Sequence, residues 1–330
     1  MQVANTHLCE SPALVHFCID TSDSIWSSKH LEQYSMRAVE GWRAIHSISF
    51  IGSRATIGIM SLFHDLIAEI RDTPIKVRSF SPSSWLLMDV PDKLIKAVDD
   101  LIDLPPCDEV IMEKFSVLLM HKDLLRLKNG VWLNDEIINF FLKLLQEYHD
   151  NISCLDSAKK QNIFMNTFFY SKMVEGCCYE YKNIERWTSK FDIFSCEKVF
   201  IPVNLNNLHW SLVFVSIPTQ EIQYIDSLGS AGEEILKNIK LWLRDEAYSK
   251  KGIQLADFAI KSQRCPLQHN NSDCGVFTLA FVDLLSNELP LRVMDQDIAG
   301  VVRKRIAFWI IKGRLVVLYL LISTFKEIII

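Results

Sequence analysis

The sequence predicts an α+β fold in which helices pack around a sheet, and three observations lead to this prediction. The chain has 330 residues, of which 49% are hydrophobic and 19 are phenylalanine, so it is long enough and apolar enough to bury a large core. In its second half, segments of helical periodicity alternate with short runs of strand-forming residues. No repeat of fixed period and no low-complexity tract interrupts them.

Composition narrows the classes of function. A net charge of −5, from 35 basic and 40 acidic residues, gives no electrostatic reason to expect nucleic acid as the main partner. The nine cysteines are odd in number and scattered, which indicates reduced thiols in a cytosolic or nuclear protein rather than a disulfide framework. The N-terminal segment does not combine a basic stretch with an apolar run, so we do not expect secretion.

The chain changes character near residue 105. Before that point apolar and polar residues mix without a sustained period, except that Val90–Leu104 is predicted to be a helix around the helix-starting Pro91. We expect residues 1–105 to be partly helical or irregular, and no motif in them indicates a function. Residues 106–315 contain the periodic segments and are predicted to form the main domain.

An apolar tail, residues 316–330, closes the sequence. The run Leu315–Phe325 contains no charged residue over its 11 positions, whereas a membrane-spanning helix needs about 20 apolar residues. A run of this length is typical of a buried helix or strand. We therefore expect no membrane partner, with a tail anchor as the alternative.

The main domain begins with a predicted helix that starts at Asn134 or Asp135 and ends near Tyr148. Either residue can cap the helix, and the acidic first turn suits the positive end of the helix dipole. Its predicted buried stripe consists of apolar residues at helical spacing, namely Ile138, Phe141, Leu142 and Leu145. Three runs that follow are predicted strands, at Lys198–Val203, Trp210–Ile217 and Ile222–Asp226.

Two further helices complete the pattern. The turn segment SLGSAGEE leads into a helix with one apolar face, formed by Ile235, Ile239, Trp242 and Leu243. Ser272 or Asp273 is expected to cap the next helix, whose apolar residues recur at i, i+3, i+4 and i+7, at Phe277, Ala280, Phe281 and Leu284. The basic run Arg303–Arg305 falls within a further predicted helix, where we expect a solvated face rather than a nuclear import signal.

Cys274 is the candidate nucleophile. It lies one or two residues after the predicted cap, where unpaired amide N–H groups and the helix dipole favour a thiolate. Gly275 follows it and is expected to let a substrate backbone approach. The alternative is that Cys274 is small apolar filler in the core. The other eight cysteines lack this combination of cap, helix start and glycine and are predicted to be structural.

A thiolate nucleophile needs a base and a group that orients the base. His209 begins one predicted strand and Asp226 ends the next, so adjacent strand ends can hold a carboxylate beside an imidazole. Gln268 precedes Cys274 in the same loop, and its amide can donate to an oxyanion together with the Cys274 backbone N–H. Taken singly, each also fits a structural role, as a satisfied histidine, a turn-capping aspartate and a loop glutamine.

Zinc binding is a rival use of the same segment. Cys265, His269 and Cys274 are close in sequence, and the adjacent Cys177 and Cys178 can add ligands. However, the spacings C-x3-H-x4-C and C-C differ from the paired chelates of structural zinc sites. We therefore expect no metal.

Six segments occur in order along the main domain. They are WLNDEIINFFLKLL (Trp132–Leu145), NTFFYSKM (Asn166–Met173), ERWTSKFDIF (Glu185–Phe194), VFIPVNLNNLHWSLVFV (Val199–Val215), IQYIDSLG (Ile222–Gly229) and CPLQHNNSDCGVFTLAF (Cys265–Phe281). Together they closely resemble the Ulp1/SENP family of cysteine proteases, which act on the small ubiquitin-like modifier SUMO. The resemblance extends over about Phe115–Leu315, and the number and order of the segments make it specific.

The resemblance implies a papain-like α+β fold with a central mixed sheet flanked by helices. It also implies a catalytic triad in the chain order His209, Asp226, Cys274. By motif match, His209 is the general base, Asp226 is its orienting carboxylate, Cys274 is the nucleophile and Gln268 is the oxyanion donor.

Two tryptophans match the family's substrate clamp. The resemblance implies that Trp132 and Trp210 hold the flat Gly-Gly tail of the modifier in a narrow tunnel, where two large rings admit glycine and exclude bulkier residues. Two positions depart from the family pattern: Asn271 stands where many relatives have glycine, and Val293 stands where an aromatic residue is common. We expect Asn271 to stiffen the loop before the nucleophile.

These observations predict a SUMO-specific cysteine protease that cleaves after the modifier's C-terminal Gly-Gly through a thioester, in deconjugation, precursor maturation or both. No metal or organic cofactor is expected. The expected partners are SUMO and SUMO-conjugated proteins, and the protein is expected to be a monomer in the nucleus, the cytoplasm or both. Three alternatives stay open: a NEDD8-specific protease of the same fold, an acyltransferase of the same fold, and a non-catalytic SUMO-binding module.

Overall fold

The computed structural model describes six stretches of the chain, which are residues 15–17, 48–50, 53–75, 84–155, 160–176 and 178–315. The predicted apolar tail and Cys177 lie outside the described residues. Within the described stretches, we find no helix with the length and apolar character that a membrane span requires.

The N-terminal elements are a strand pair and two helices. Strands β1 (Val15–Phe17) and β2 (Ile48–Phe50) pair in parallel. Helices α1 (Ser53–Asp72) and α2 (Asp92–Asp103) follow, and α2 confirms the helix predicted after Pro91. The buried residues of both helices belong to the same apolar core as the helices of the main domain. The boundary near residue 105 stays a prediction.

A hairpin and a long helix come next. Strands β3 (Val110–Lys114) and β4 (Val117–Met120) are antiparallel, and the short helix α3 (His121–Leu124) follows them. Helix α4 runs from Asp135 to Leu155. Its start is as predicted, because the backbone N–H of Ile137 donates to the side-chain oxygen of Asn134 at 3.2 Å. It extends beyond the predicted end because Tyr148 and Ile152 continue the buried stripe.

A five-stranded mixed sheet forms the centre of the fold. In spatial order its strands are β5 (Asn162–Phe164), β6 (Lys198–Leu205), β7 (His209–Ser216), β8 (Glu221–Ile225) and β9 (Ala259–Ser262). The three central strands are antiparallel to one another, and both edge strands are parallel to their neighbours. Strands β6, β7 and β8 confirm the three predicted strands, and the sheet confirms the predicted mixed topology.

Helices cover both faces of this sheet. Helices α5 (Phe168–Met173), α6 (Glu233–Lys251) and α7 (Cys274–Ser286) pack against its strands, and α8 (Ala299–Lys312) packs against α7. Because successive strand residues point to opposite faces, Leu212 and Phe214 pack with α7 on one side, whereas Val213 and Val215 pack with α6 on the other. Helix α7 is buried along nearly its whole length, which fixes its first residue relative to the neighbouring ends of β7 and β8.

Candidate active site

His209 and Asp226 meet at one end of the sheet. The antiparallel pairing of β7 with β8 places the first residue of β7 beside the residue that follows β8. The ring nitrogen Nε2 of His209 lies 2.6 Å from Oδ1 of Asp226, and the Asp226 side chain is 1% exposed. Since Nε2 donates to the carboxylate, Nδ1 is the ring nitrogen that is left to exchange a proton with a nucleophile.

Three groups besides the histidine surround the Asp226 carboxylate. The backbone N–H of Leu228 donates to Oδ1 at 2.8 Å, and the hydroxyl of Tyr224 donates to Oδ2 at 3.3 Å. Burial opposes the charge of Asp226, but the hydrogen bonds from His209, Leu228 and Ser230 hold the pKa of this carboxyl below its usual range. Asp226 therefore stays ionised beside the imidazole.

The protonation of His209 depends on both of its neighbours. Burial alone lowers the pKa of the imidazole, but the Asp226 carboxylate and the Cys274 side chain outweigh it and raise the pKa to about 9. At neutral pH the ring is therefore an imidazolium. This charged ring is hydrogen-bonded to the Cys274 side chain, and a nucleophile paired with its base is the arrangement that nucleophilic chemistry at Cys274 needs.

Cys274 is the first residue of α7 and is 1% exposed. Its position at the helix start confirms the predicted placement. The expectation that Gly275 lets a substrate backbone approach stays a prediction, and the structure shows a packing role for the residue as well. A β-carbon at this position would lie 3.0 Å from Cβ of Leu133 and 3.2 Å from Cδ1 of Trp210, so the glycine lets α7 pack closely against both.

Gln268 lies in the loop before α7 and is buried. Its Oε1 accepts from the hydroxyl of Ser227 at 2.6 Å, and its Nε2 donates to the backbone carbonyl of Asn270 at 2.5 Å. A side-chain amide has two N–H donors, and the second has no partner among the residues that the structure describes. Gln268 thus retains a donor of the kind an oxyanion needs.

The two tryptophans are held close to the start of α7. The indole N–H of Trp210 donates to the carbonyl of Leu133 at 2.9 Å, and that of Trp132 donates to the carbonyl of Asn271. Trp210 is buried and Trp132 is partly exposed. The Trp132 bond uses the backbone of Asn271, which a glycine would supply equally well, so this departure from the family pattern leaves the contact intact.

Arg303 is the residue that sequence analysis missed. The predicted solvated face was wrong at this position, because the Arg303 side chain is 1% exposed. Its Nε and Nη2 donate to Oδ1 of Asp273 at 2.8 and 2.6 Å, and Nη2 also donates to the carbonyl of Ser272 at 2.8 Å. Its place between the apolar Val302 and Ile306 was the available signal for burial.

The same contacts correct the predicted cap. Asp273 precedes α7, but its side chain makes no capping hydrogen bond. Its carboxylate is instead bonded by Asn270, Gln296 and Arg303. Burial opposes its charge, but these partners keep the pKa of Asp273 below its usual range. The loop before Cys274 is thus fixed by an ion pair.

Comparison with known proteins assigns this chain to a family. The model of the Ulp1 protease family's C-terminal catalytic domain (peptidase family C48) matches residues 131–314, which is more than half of the 330 residues. The chain belongs to the Ulp1 protease family. The match contains every residue of the predicted site, and the predicted papain-like α+β fold of the family is confirmed by the solved structures below.

Curated relatives agree with this assignment. Sentrin-specific protease 2 of Pongo abelii and of Homo sapiens are each 30% identical to this chain over 238 residues, which is 69% of this chain and 38% of each relative. Ubiquitin-like-specific protease 1A of Arabidopsis thaliana is 35% identical over 175 residues, which is 50% of this chain and 34% of that relative. The chain thus spans well under half the length of these relatives.

Solved structures of the Ulp1 family share the fold. The C-terminal Ulp1 protease domain in complex with Smt3, the yeast ortholog of SUMO, superposes with a TM-score of 0.59 at 27% identity, over 72% of this chain and 99% of that chain. A SUMO protease Ulp1 with its catalytic cysteine oxidised to a sulfonic acid gives a TM-score of 0.58 at 28% identity, over 68% of this chain and 97% of that chain.

Proposed function

We propose that this chain is a SUMO-specific cysteine protease that hydrolyses the bond after the modifier's C-terminal Gly-Gly. The observation that carries the proposal is the 2.6 Å bond between His209 and Asp226 beside Cys274 at the start of a buried helix. Membership of the Ulp1 family supports peptidase chemistry. The solved Ulp1 complex with Smt3 and the Sentrin-specific relatives support SUMO as the modifier.

In the first half of the proposed reaction, Cys274 attacks. Nδ1 of His209 holds the proton that the thiol gives up, and the thiolate attacks the carbonyl carbon of the modifier's last glycine. The carbonyl oxygen becomes an oxyanion, which accepts hydrogen bonds from the Gln268 side-chain amide and the Cys274 backbone N–H. Asp226 keeps the ring oriented and stabilises the imidazolium.

In the second half, the bond to the leaving group breaks. The His209 imidazolium protonates the departing amine, and a thioester forms between Cys274 and the modifier. The now neutral imidazole takes a proton from water, the hydroxide attacks the thioester, and the thiolate leaves. A lysine side chain as leaving group gives deconjugation, and a C-terminal peptide gives precursor maturation.

Substrate selection in this proposal depends on Trp132 and Trp210. Their indole N–H groups are anchored close to the start of α7, and in this proposal the rings clamp the Gly-Gly tail, because glycine has no Cβ to collide with them. We also propose that the protein acts as a monomer, in the nucleus, the cytoplasm or both. The roles need no metal or organic cofactor.

A panel of activity probes tests the proposal. The purified chain is incubated with SUMO, NEDD8 and ubiquitin, each bearing a C-terminal vinyl sulfone, and adducts are located by peptide mapping. We expect the SUMO probe alone to label, at Cys274, and labelling to disappear in Cys274→Ser but not in the control Cys265→Ser. Labelling by NEDD8 alone would favour the NEDD8 alternative, and SUMO binding without labelling would favour a non-catalytic binding module. In a parallel incubation with acetyl-CoA, consumption of acetyl-CoA by a chain that no probe labels would favour an acyltransferase.

A further inference from the structure

One turn of the chain is hydrogen-bonded both to the proposed base and to the proposed oxyanion donor. The turn after β8, Asp226–Gly229, begins with the carboxylate that holds His209. The next residue, Ser227, is 2% exposed and bonds Gln268 twice. Its hydroxyl donates to Oε1 at 2.6 Å, and its carbonyl accepts the Gln268 backbone N–H at 2.9 Å. The proposed base His209 and the proposed oxyanion donor Gln268 are therefore hydrogen-bonded to adjacent residues of this turn, Asp226 and Ser227.

The partners of Gln268 fix which way its amide points. The carbonyl of Asn270 can only accept a hydrogen bond, so the side-chain atom facing it at 2.5 Å is the nitrogen. The oxygen Oε1 then faces Ser227, whose hydroxyl can donate. Two bonds of opposite sense thus hold the amide at both ends, and rotation by half a turn would break both.

We propose that Ser227 is a positioning residue for oxyanion stabilisation, which it achieves by holding the Gln268 amide with its nitrogen toward the reacting carbonyl. This inference rests on the oxyanion role given to Gln268 above. Without the hydroxyl, Oε1 loses its donor while remaining buried, which is an unfavourable state. The amide then gains from turning toward other donors, and a turned amide presents an oxygen to the developing negative charge.

A double-mutant cycle tests this role. The turnover number for a SUMO precursor is measured for the wild type, Ser227→Ala, Gln268→Ala and the double variant. Loss of one oxyanion donor costs about 10²–10³ in rate, so we expect that loss in Gln268→Ala and at least about a tenfold loss in Ser227→Ala. The double variant should be no slower than Gln268→Ala, because Ser227 acts through Gln268.

Alkylation by iodoacetamide separates positioning from damage to the triad. This reaction displaces iodide at a saturated carbon and develops no carbonyl oxyanion, so it reports on the thiolate and His209 only. We expect the pH profile of Cys274 alkylation to be the same in Ser227→Ala as in the wild type. Ser286→Ala is the matched control, since it removes a buried hydroxyl that donates to Asp283 O at 2.9 Å, at the far end of α7; it should keep the wild-type turnover number.

The outcomes are distinct. If Ser227→Ala lowers the rate by the same factor in the wild type and in Gln268→Ala, the inference is overturned. An altered pH profile of alkylation in Ser227→Ala would also overturn it, because the change would then act through Asp226 and His209. A wild-type rate in Ser227→Ala with a slow Gln268→Ala would overturn the inference alone. A wild-type rate in Gln268→Ala would overturn both the oxyanion role and the inference, while leaving the nucleophile assignment to the probe experiment.

Discussion

Arg303 and Asp273 form a buried ion pair directly before helix α7, which begins at Cys274. Nη2 of the arginine lies 2.6 Å from Oδ1 of the aspartate, and their side chains are 1% and 7% exposed. The same guanidinium donates from Nη1 to the carbonyl of Lys128 at 3.1 Å and from Nη2 to the carbonyl of Ser272 at 2.8 Å. It therefore joins the loop before Cys274 to Lys128, which lies four residues before Trp132.

Removing this arginine should destabilise the fold. Arg303→Gln leaves the Asp273 carboxylate buried without its cation, and breaking one side of a buried pair costs about 3–5 kcal/mol. Urea unfolding of the full chain measures the loss. The neighbouring Lys304 is the control, because its pair with Asp99 has side chains 34% and 39% exposed, and Lys304→Gln should cost less than about 1 kcal/mol. Equal losses in the two variants would contradict the structural role of the buried pair.

The His209–Asp226 pair should make stability depend on pH. The folded-state pKa of His209 is raised from 6.5 to about 9, so the folded protein binds the proton more tightly than the unfolded chain does. The contribution to the free energy of unfolding is therefore full below the unfolded pKa of 6.5 and is lost as pH rises through about 9. Urea unfolding of the wild type from about pH 6 to about pH 9 should show this decline.

Asp226→Asn supplies the comparison for the pH experiment. Replacing the carboxylate removes the partner that does most to raise the pKa of His209, so the decline should largely disappear in this variant. The turnover number should also fall, because the imidazolium loses its stabilising charge; the analogous change in a serine protease triad costs about 10⁴ in rate. A variant with the same pH slope as the wild type would show that Asp226 does not control His209.

Gly275 should tolerate no β-carbon. In Gly275→Ala, the added carbon would lie 3.0 Å from Cβ of Leu133, and overpacking of this kind typically costs about 1–3 kcal/mol. Gly58 in α1 is the control, since a β-carbon there would meet nothing within 4 Å, and helical Gly→Ala changes in open space stabilise by up to about 1 kcal/mol. Urea unfolding should therefore give a lower free energy of unfolding for Gly275→Ala and a higher one for Gly58→Ala. A stabilised Gly275→Ala would refute the close packing.

Periodicity was sufficient to predict the larger elements. Helices α4, α6 and α7 and strands β6, β7 and β8 each have an apolar pattern that local sequence reveals, and all were predicted. The edge strands were missed for a physical reason: β5 has three residues, and all four residues of β9 are exposed, so neither shows the alternation that marks a half-buried strand.

The residues of the candidate site could be singled out from the sequence, but the buried ion pair that holds the loop before Cys274 could not. His209, Asp226, Gln268 and Cys274 stand at strand ends or before a helix, where local sequence shows their possible use. The Arg303–Asp273 pair joins residues 30 positions apart, and no local pattern predicts which buried charge meets which. The predicted capping by Asp273 was wrong for that reason, because a distant arginine competed for its carboxylate.

The proposed clamp of Trp132 and Trp210 makes a prediction about the modifier's last residue. If Trp132 closes the channel over a residue without a side chain, a precursor ending in Gly-Ala should be cleaved far more slowly than one ending in Gly-Gly. Trp132→Ala should lower kcat/KM for the Gly-Gly precursor and shrink the ratio between the two, because the ring that excludes the methyl group is gone. Trp187→Ala is the control. This partly buried indole packs edge-on to Phe169, in the apolar cluster between the sheet and α6. Because it lies away from the proposed clamp, its loss should leave the ratio unchanged. An unaltered ratio in Trp132→Ala would show that discrimination resides elsewhere in the channel.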